Sequence, residues 1–150
     1  MSQHIKDKAI EKGIVDGHEY WIVPGPSEGK NGYIVFKKRP VREYGYNGIL
    51  SYVPVHGGIT YADESNIGMV YGFDTAHHNS HEFPRDDNHW IKGQIEIMLK
   101  GIKRAAEVEN KYLRCVSNKG KAKHCQYVAD AAPDQEMGFG AMINMLSGEL

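Results

Sequence analysis

The sequence predicts an α+β fold: a single domain with a mainly antiparallel sheet of about five strands and one long amphipathic helix packed on it. Three observations carry this expectation. Strand-like segments follow one another through short turns, with no helical pattern between them until residue 88, an order that excludes a doubly wound parallel sheet. From residue 88 to 114, apolar residues then recur at three- and four-residue steps. Finally, 150 residues with 41% hydrophobic content are enough for one core and short for two, so residues 1–150 are expected to form one globular domain.

Taken in order, residues 3–14 place Ile5, Ala9, Ile10 and Ile14 at near-helical spacing, which predicts a short amphipathic helix ending around Gly13 or Gly17. HEYWIV (18–23) and GYIVFKK (32–38) are rich in β-branched and aromatic residues and read as strands. Pro24, Gly25, Pro26 and Gly29 between them predict a turn, hence a hairpin. That linker lacks the spacing of a phosphate-binding loop. RPVREYGYN (39–47) reads as an irregular connection in which Arg39, Arg42, Tyr44 and Tyr46 stand close together. GILSYVPV (48–55), GGITYA (57–62) and IGMVYGFD (67–74) are three further strand candidates, with Pro54 ending or bulging the first near His56. The 88–114 helix carries an Ile91, Ile95, Met98, Ile102, Ala105, Ala106, Leu113 stripe suited to packing on a sheet, with Asp86 and Asp87 at its start. Beyond it, 120–150 is an extension with a break at Pro133 and a short helical pattern through Met137, Met142, Ile143 and Leu146, a candidate contact for a homo-oligomer.

Charge and composition narrow the partners. A net charge of -1 supplies no overall field for bulk nucleic-acid or membrane binding. The start, MSQHIKDKAIEK, lacks the apolar core of a signal peptide, and no run of about 18 apolar residues occurs. The expectation is a cytoplasmic protein with no membrane partner. Cys115 and Cys125, with His124, make a weak zinc set; free thiols are the default and a disulfide the alternative.

Five of the eight histidines fall between positions 56 and 89, together with Asp63, Glu64, Asp74, Glu82, Asp86 and Asp87. Imidazole titrates near neutral pH and, with carboxylates, forms a common ligand set for transition metals, so this density points to metal or acid–base chemistry. The plainer reading is a solvated polar loop. Small-residue turns at Gly57-Gly58 and Thr75-Ala76 adjoin His56 and His77 and would let a ligand approach the backbone.

The order NGYIVF, PVHGGITY, VYGFDTAHH and a long helix beginning near DDNHWI resembles a family of small, largely uncharacterised bacteriophage and prophage proteins. Their shared pattern is roughly VHGG[IL]TY followed by FGFD[TC]AH. The likeness covers about residues 31–113 and falls on His56, Gly57, Gly58, Thr60, Tyr61, Gly72, Phe73, Asp74, Ala76 and His77. It implies a phage origin, hence the host cytoplasm, and marks a site without naming a reaction.

His56, Asp74 and His77, with His78 beside them, are the candidate ligands of a divalent metal, zinc first, which would make hydroxide available for hydrolysis. Without a metal, the trio is a candidate acid–base set, with Thr60 assisting and the Gly57-Gly58 amides binding an oxyanion. Strand alternation puts Thr60 and Tyr61 on opposite faces, with Thr60 favoured for the site. Arg39, Arg42, Tyr44, Tyr46 and Tyr61 are candidate contacts for a small phosphorylated or nucleotide-like molecule. The leading expectation is a metal-assisted hydrolase of such a molecule. The alternative is a non-catalytic protein that sequesters a host nucleotide signal or inhibits a host defence protein, and a third reading keeps His56 and Asp74 as a buried structural pair.

Overall fold

Five antiparallel strands form one sheet in the order β1-β2-β3-β5-β4: β1 Glu11–Val15, β2 His18–Pro24, β3 Lys30–Phe36, β4 Tyr61–Ser65 and β5 Gly68–Phe73. A short helix, α1 (Ser2–Asp7), precedes them, and a long one, α2 (Asn88–Ser117), follows. This is a computed structural model that describes residues 2–26 and 28–117. The expectations for residues 120–150, for Cys125 and for the cysteine pairing lie outside the described residues. The chain divides into two compact units, 1–102 and 103–150. The sheet, the start of α2 and every residue of the site below belong to the first.

The strand register explains why both faces of the central strands β2, β3 and β5 are buried. On one face, Tyr20 pairs with Ile34 and Ile34 with Tyr71, while Gly32 pairs with Phe73. A Cβ on Gly32 would lie 2.7 Å from Ile95 of α2 and 2.5 Å from the Phe73 ring, so this glycine lets helix and sheet close on each other. Ile91, Ile95, Met98, Leu99 and Ile102 are all buried along that stripe. Asp87 accepts the His89 amide at 2.8 Å as the helix N-cap. Among the described residues no helix is long and apolar enough to cross a membrane.

On the other face, the cross-strand row is Trp21, Tyr33, Gly72, Tyr61. Gly72 leaves room for the Tyr33 ring, which a Cβ there would meet at 2.4 Å, and Tyr33 thereby reaches Tyr61 edge-on at 5.5 Å. Ile5 and Ala9 pack on this cluster. Fully buried Ser2 donates from Oγ to Asp63 at 2.7 Å and lies 3.0 Å from the Tyr61 hydroxyl, and Lys6 pairs with Glu19 at 2.9 Å.

Three elements differ from the sequence expectation. The predicted helix over 3–14 is helical only to Asp7, and 11–15 is strand β1 instead. Asp16 and Gly17 both take positive φ, 49° and 81°, and close a two-residue hairpin turn whose twist suits antiparallel strands. Ile10 and Ile14, expected on an apolar helix face, are exposed. The predicted strand over 48–55 is a 3-10 turn, Ile49–Tyr52, with extended chain after it. Ser51 donates from both its amide and its hydroxyl to the Gly48 carbonyl, a local closure that competes with a sheet ladder. The apolar side chains Ile49, Leu50, Val53 and Val55 still enter the core. β4 also starts later than expected, at Tyr61, leaving 57–60 as a connection.

Candidate functional site

Three chain segments meet at one end of the sheet: the Gly57-Gly58 turn, the loop that leaves β5, and the first turns of α2. The loop is held to the start of β3. Thr75 donates from Oγ1 to the Lys30 carbonyl at 2.9 Å, and the Lys30 amide donates to the Arg85 carbonyl at 2.8 Å. Arg85 reaches the Thr75 carbonyl at 3.4 Å and lies 3.5 Å from Glu28. Lys30 Nζ donates to Asn88 Oδ1 at 2.6 Å, which ties the same strand end to the first residue of α2.

This frame brings His56, Asp74 and His77 together. Asp74 Oδ1 accepts the Ala76 amide at 3.0 Å, a local turn that fixes the carboxylate, and the same oxygen lies 3.4 Å from His77 Nε2. That nitrogen is buried without a hydrogen-bond partner. The His56 and His77 rings lie 5.7 Å apart at 69°. Gly57 explains how the second ring fits: with φ at +69°, it presents no Cβ where one would stand 2.0 Å from His77 Nε2. His56 is fixed by its backbone amide, which donates to Gln94 Oε1 on α2 at 2.9 Å, and by Ser80 Oγ, 2.8 Å from Nε2. Burial, and the neighbouring His77 imidazole, hold the His56 pKa below the usual histidine range, with Asp74 opposing them.

Around His56 stands an aromatic wall that the sequence reading did not single out. Phe83 and Trp90 contact the His56 ring edge-on at 4.9 and 5.4 Å and are stacked on each other at 28°. Phe83 is 40% exposed, unusual for a phenylalanine with such neighbours, so this wall has an open side. Its signal in sequence was slight: a single aromatic in HEFP and another in the first turn of a helix. Ser80 was equally hidden among the histidines.

The other candidates are placed differently. Thr60 donates its amide to the Gly72 carbonyl at 2.9 Å, in the connection just ahead of β4. Tyr61 lies on the α1 face, against Ser2 and Tyr33, away from His56. The Gly58 amide donates to the Val55 carbonyl at 2.8 Å and so is not free for an oxyanion. His78 is exposed. In the 39–47 loop, the Arg39 guanidinium lies 4.0 Å over the Tyr44 ring, with one buried nitrogen lacking a hydrogen-bond partner, while Tyr44 is exposed. Arg42 is exposed and Tyr46 half-buried.

For a divalent ion the test is whether three protein donors face one point. Among the described residues no group of three or more His, Cys, Asp or Glu side chains is arranged to hold a metal. Asp74 with His77 offers two donors, and His56 Nε2 faces Ser80. No protein-family model, curated protein or solved structure matches the chain.

Proposed function

We propose that this site binds a small phosphorylated, nucleotide-like molecule and holds it without turning it over. One observation carries the reading: His56, Phe83 and Trp90 make a part-exposed aromatic ledge, while Nε2 of His56 is taken up by Ser80 and Nε2 of His77 is buried between Gly57 and Asp74. A ledge of this kind suits a planar ring, since stacking on an aromatic side chain contributes about 1–3 kcal/mol per base. Neither Nε2 is then placed to exchange a proton with a molecule on the ledge, since such transfer needs hydrogen-bond reach. On the phage-family resemblance, the ligand would be a host nucleotide signal and the protein its sequestering partner.

Metal-assisted hydrolysis is the second reading. It is favoured by the 3.4 Å separation of His77 Nε2 and Asp74 Oδ1, which suits two donors to one zinc ion at about 2.0–2.2 Å each.

The two readings part in one experiment. Trp21 is fully buried, so quenching of the exposed fraction of tryptophan fluorescence reports on Trp90. Titration of untagged protein with a panel of nucleoside mono-, di- and triphosphates is expected to quench it, with the ligand recovered unchanged after denaturation and no dependence on chelator. Recovery of hydrolysed ligand, with turnover lost to a chelator, would establish the second reading. A silent panel would overturn both.

A further inference from the structure

Ser80 is fully buried, and both polar neighbours of its hydroxyl belong to the candidate site. The His77 backbone amide donates to Oγ at 3.0 Å, and His56 Nε2 stands 2.8 Å away. A hydroxyl has one hydrogen to donate and two lone pairs to accept with. The amide can only donate, so Oγ accepts there. The hydroxyl hydrogen then needs an acceptor, because a buried polar hydrogen left unpaired costs about 1–3 kcal/mol. Were Nε2 protonated, Oγ would accept twice and its own hydrogen would have no acceptor among these neighbours.

We infer that Ser80 donates to His56 Nε2 and thereby fixes His56 as the neutral Nδ1–H tautomer, so that the ring nitrogen left for a ligand is a hydrogen-bond donor, available to a phosphate oxygen. Free histidine in water prefers the opposite tautomer, so the assignment is not a default. It also accounts for the poor fit of His56 to a metal, since a ligating nitrogen must carry a free lone pair. Ser80 is thus a positioning residue, acting through His56. The tautomer stands on the hydrogen-bond network alone; only the identity of the acceptor rests on the nucleotide-binding reading above.

The test is long-range nitrogen–proton NMR on the uniformly 15N-labelled full chain at pH 7.5. The wild-type spectrum is expected to show His56 with a protonated Nδ1 and an unprotonated Nε2, and Ser80→Ala to move the ring toward Nε2–H. An Nε2–H ring in the wild type overturns the inference, whether or not the variant folds. AMP at saturation is then expected to shift the His56 Nδ1–H signal downfield beyond any ring-current shift that adenosine, lacking the phosphate, produces. Quenching of Trp90 by AMP with Nδ1–H unmoved overturns the donor role while leaving the binding site intact. No quenching by any nucleotide of the panel overturns the binding reading and leaves the tautomer standing.

Discussion

Gly57 and Gly58 look equivalent in the sequence, yet their surroundings give them different roles. Both have positive φ, +69° and +80°, but a Cβ at Gly57 would overlap the His77 ring, whereas nothing lies within 4 Å of one at Gly58. Gly58→Ala is therefore expected to cost only the left-handed strain, about 1–2 kcal/mol, and to leave the His77 ring resonances in place. Gly57→Ala adds the clash, so its denaturant midpoint is expected to fall further and the His77 resonances to shift. Equal losses in the two variants would refute the close approach. His56 makes a prediction about pH at the same scale. Its folded pKa is depressed, below an unfolded value of about 6.5, so the unfolded chain binds the extra proton first as pH falls. The stability contributed by keeping His56 neutral is full above that unfolded pKa and declines as pH drops toward the folded one. Comparison of denaturant midpoints at pH 7.5 and 5.5 is expected to show a larger acid loss in the wild type than in His56→Gln.

Elements with a clean period were legible before the structure. β2, β3 and β5 are β-branched and aromatic, and α2 has its three- and four-residue stripe with a capping aspartate; all four stand close to where the pattern put them. Ile95→Ala, at the centre of that stripe and fully buried, is expected to lower stability by about 2–5 kcal/mol, and Asp87→Ala by about 1 kcal/mol through the lost cap, both read from urea melts. Where period and turn chemistry disagreed, the turn won. Ile5, Ala9, Ile10 and Ile14 fit a helix, but Asp16-Gly17 is a strong hairpin signal, and pairing Val15 with His18 recruits 11–15 to the sheet edge. In 48–55 the apolar pattern was read as a strand, but the segment is a 3-10 turn whose side chains are buried all the same, since burial fixes which side chains go inside and not the backbone path. The site was half legible for the same reason. His56, Asp74 and His77 stand at turns with visible glycine and strand-end signals. Ser80, Phe83, Trp90 and Gln94 are brought to them only by the tertiary course of the 75–87 loop and α2.

Across unit 1–102 as a whole, the proposed binding ledge stands apart from the residues that make the core. The central strands are covered on both faces, on one by α2 and on the other by α1 with its Ser2–Asp63 and Lys6–Glu19 contacts, so the core lies on Trp21, Ile34, Tyr71 and the Ile91–Ile102 stripe. Phe83 stands outside that interior. It is 40% exposed, belongs to a loop already fastened through Thr75 and Arg85, and touches the site through the His56 and Trp90 rings. Phe83→Ala is therefore expected to lower unfolding free energy by only about 1–2 kcal/mol, the scale of its ring contacts with His56 and Trp90. Loss of one stacking surface is expected to weaken nucleotide affinity by about 1 kcal/mol or more, roughly fivefold upward. Trp21→Ala should do the reverse, lowering the thermal midpoint steeply. Paired thermal melts and nucleotide titrations of the two variants check this separation. If Phe83→Ala costs stability as Trp21→Ala does, the wall beside His56 belongs to the core, and the argument for a ligand surface there fails.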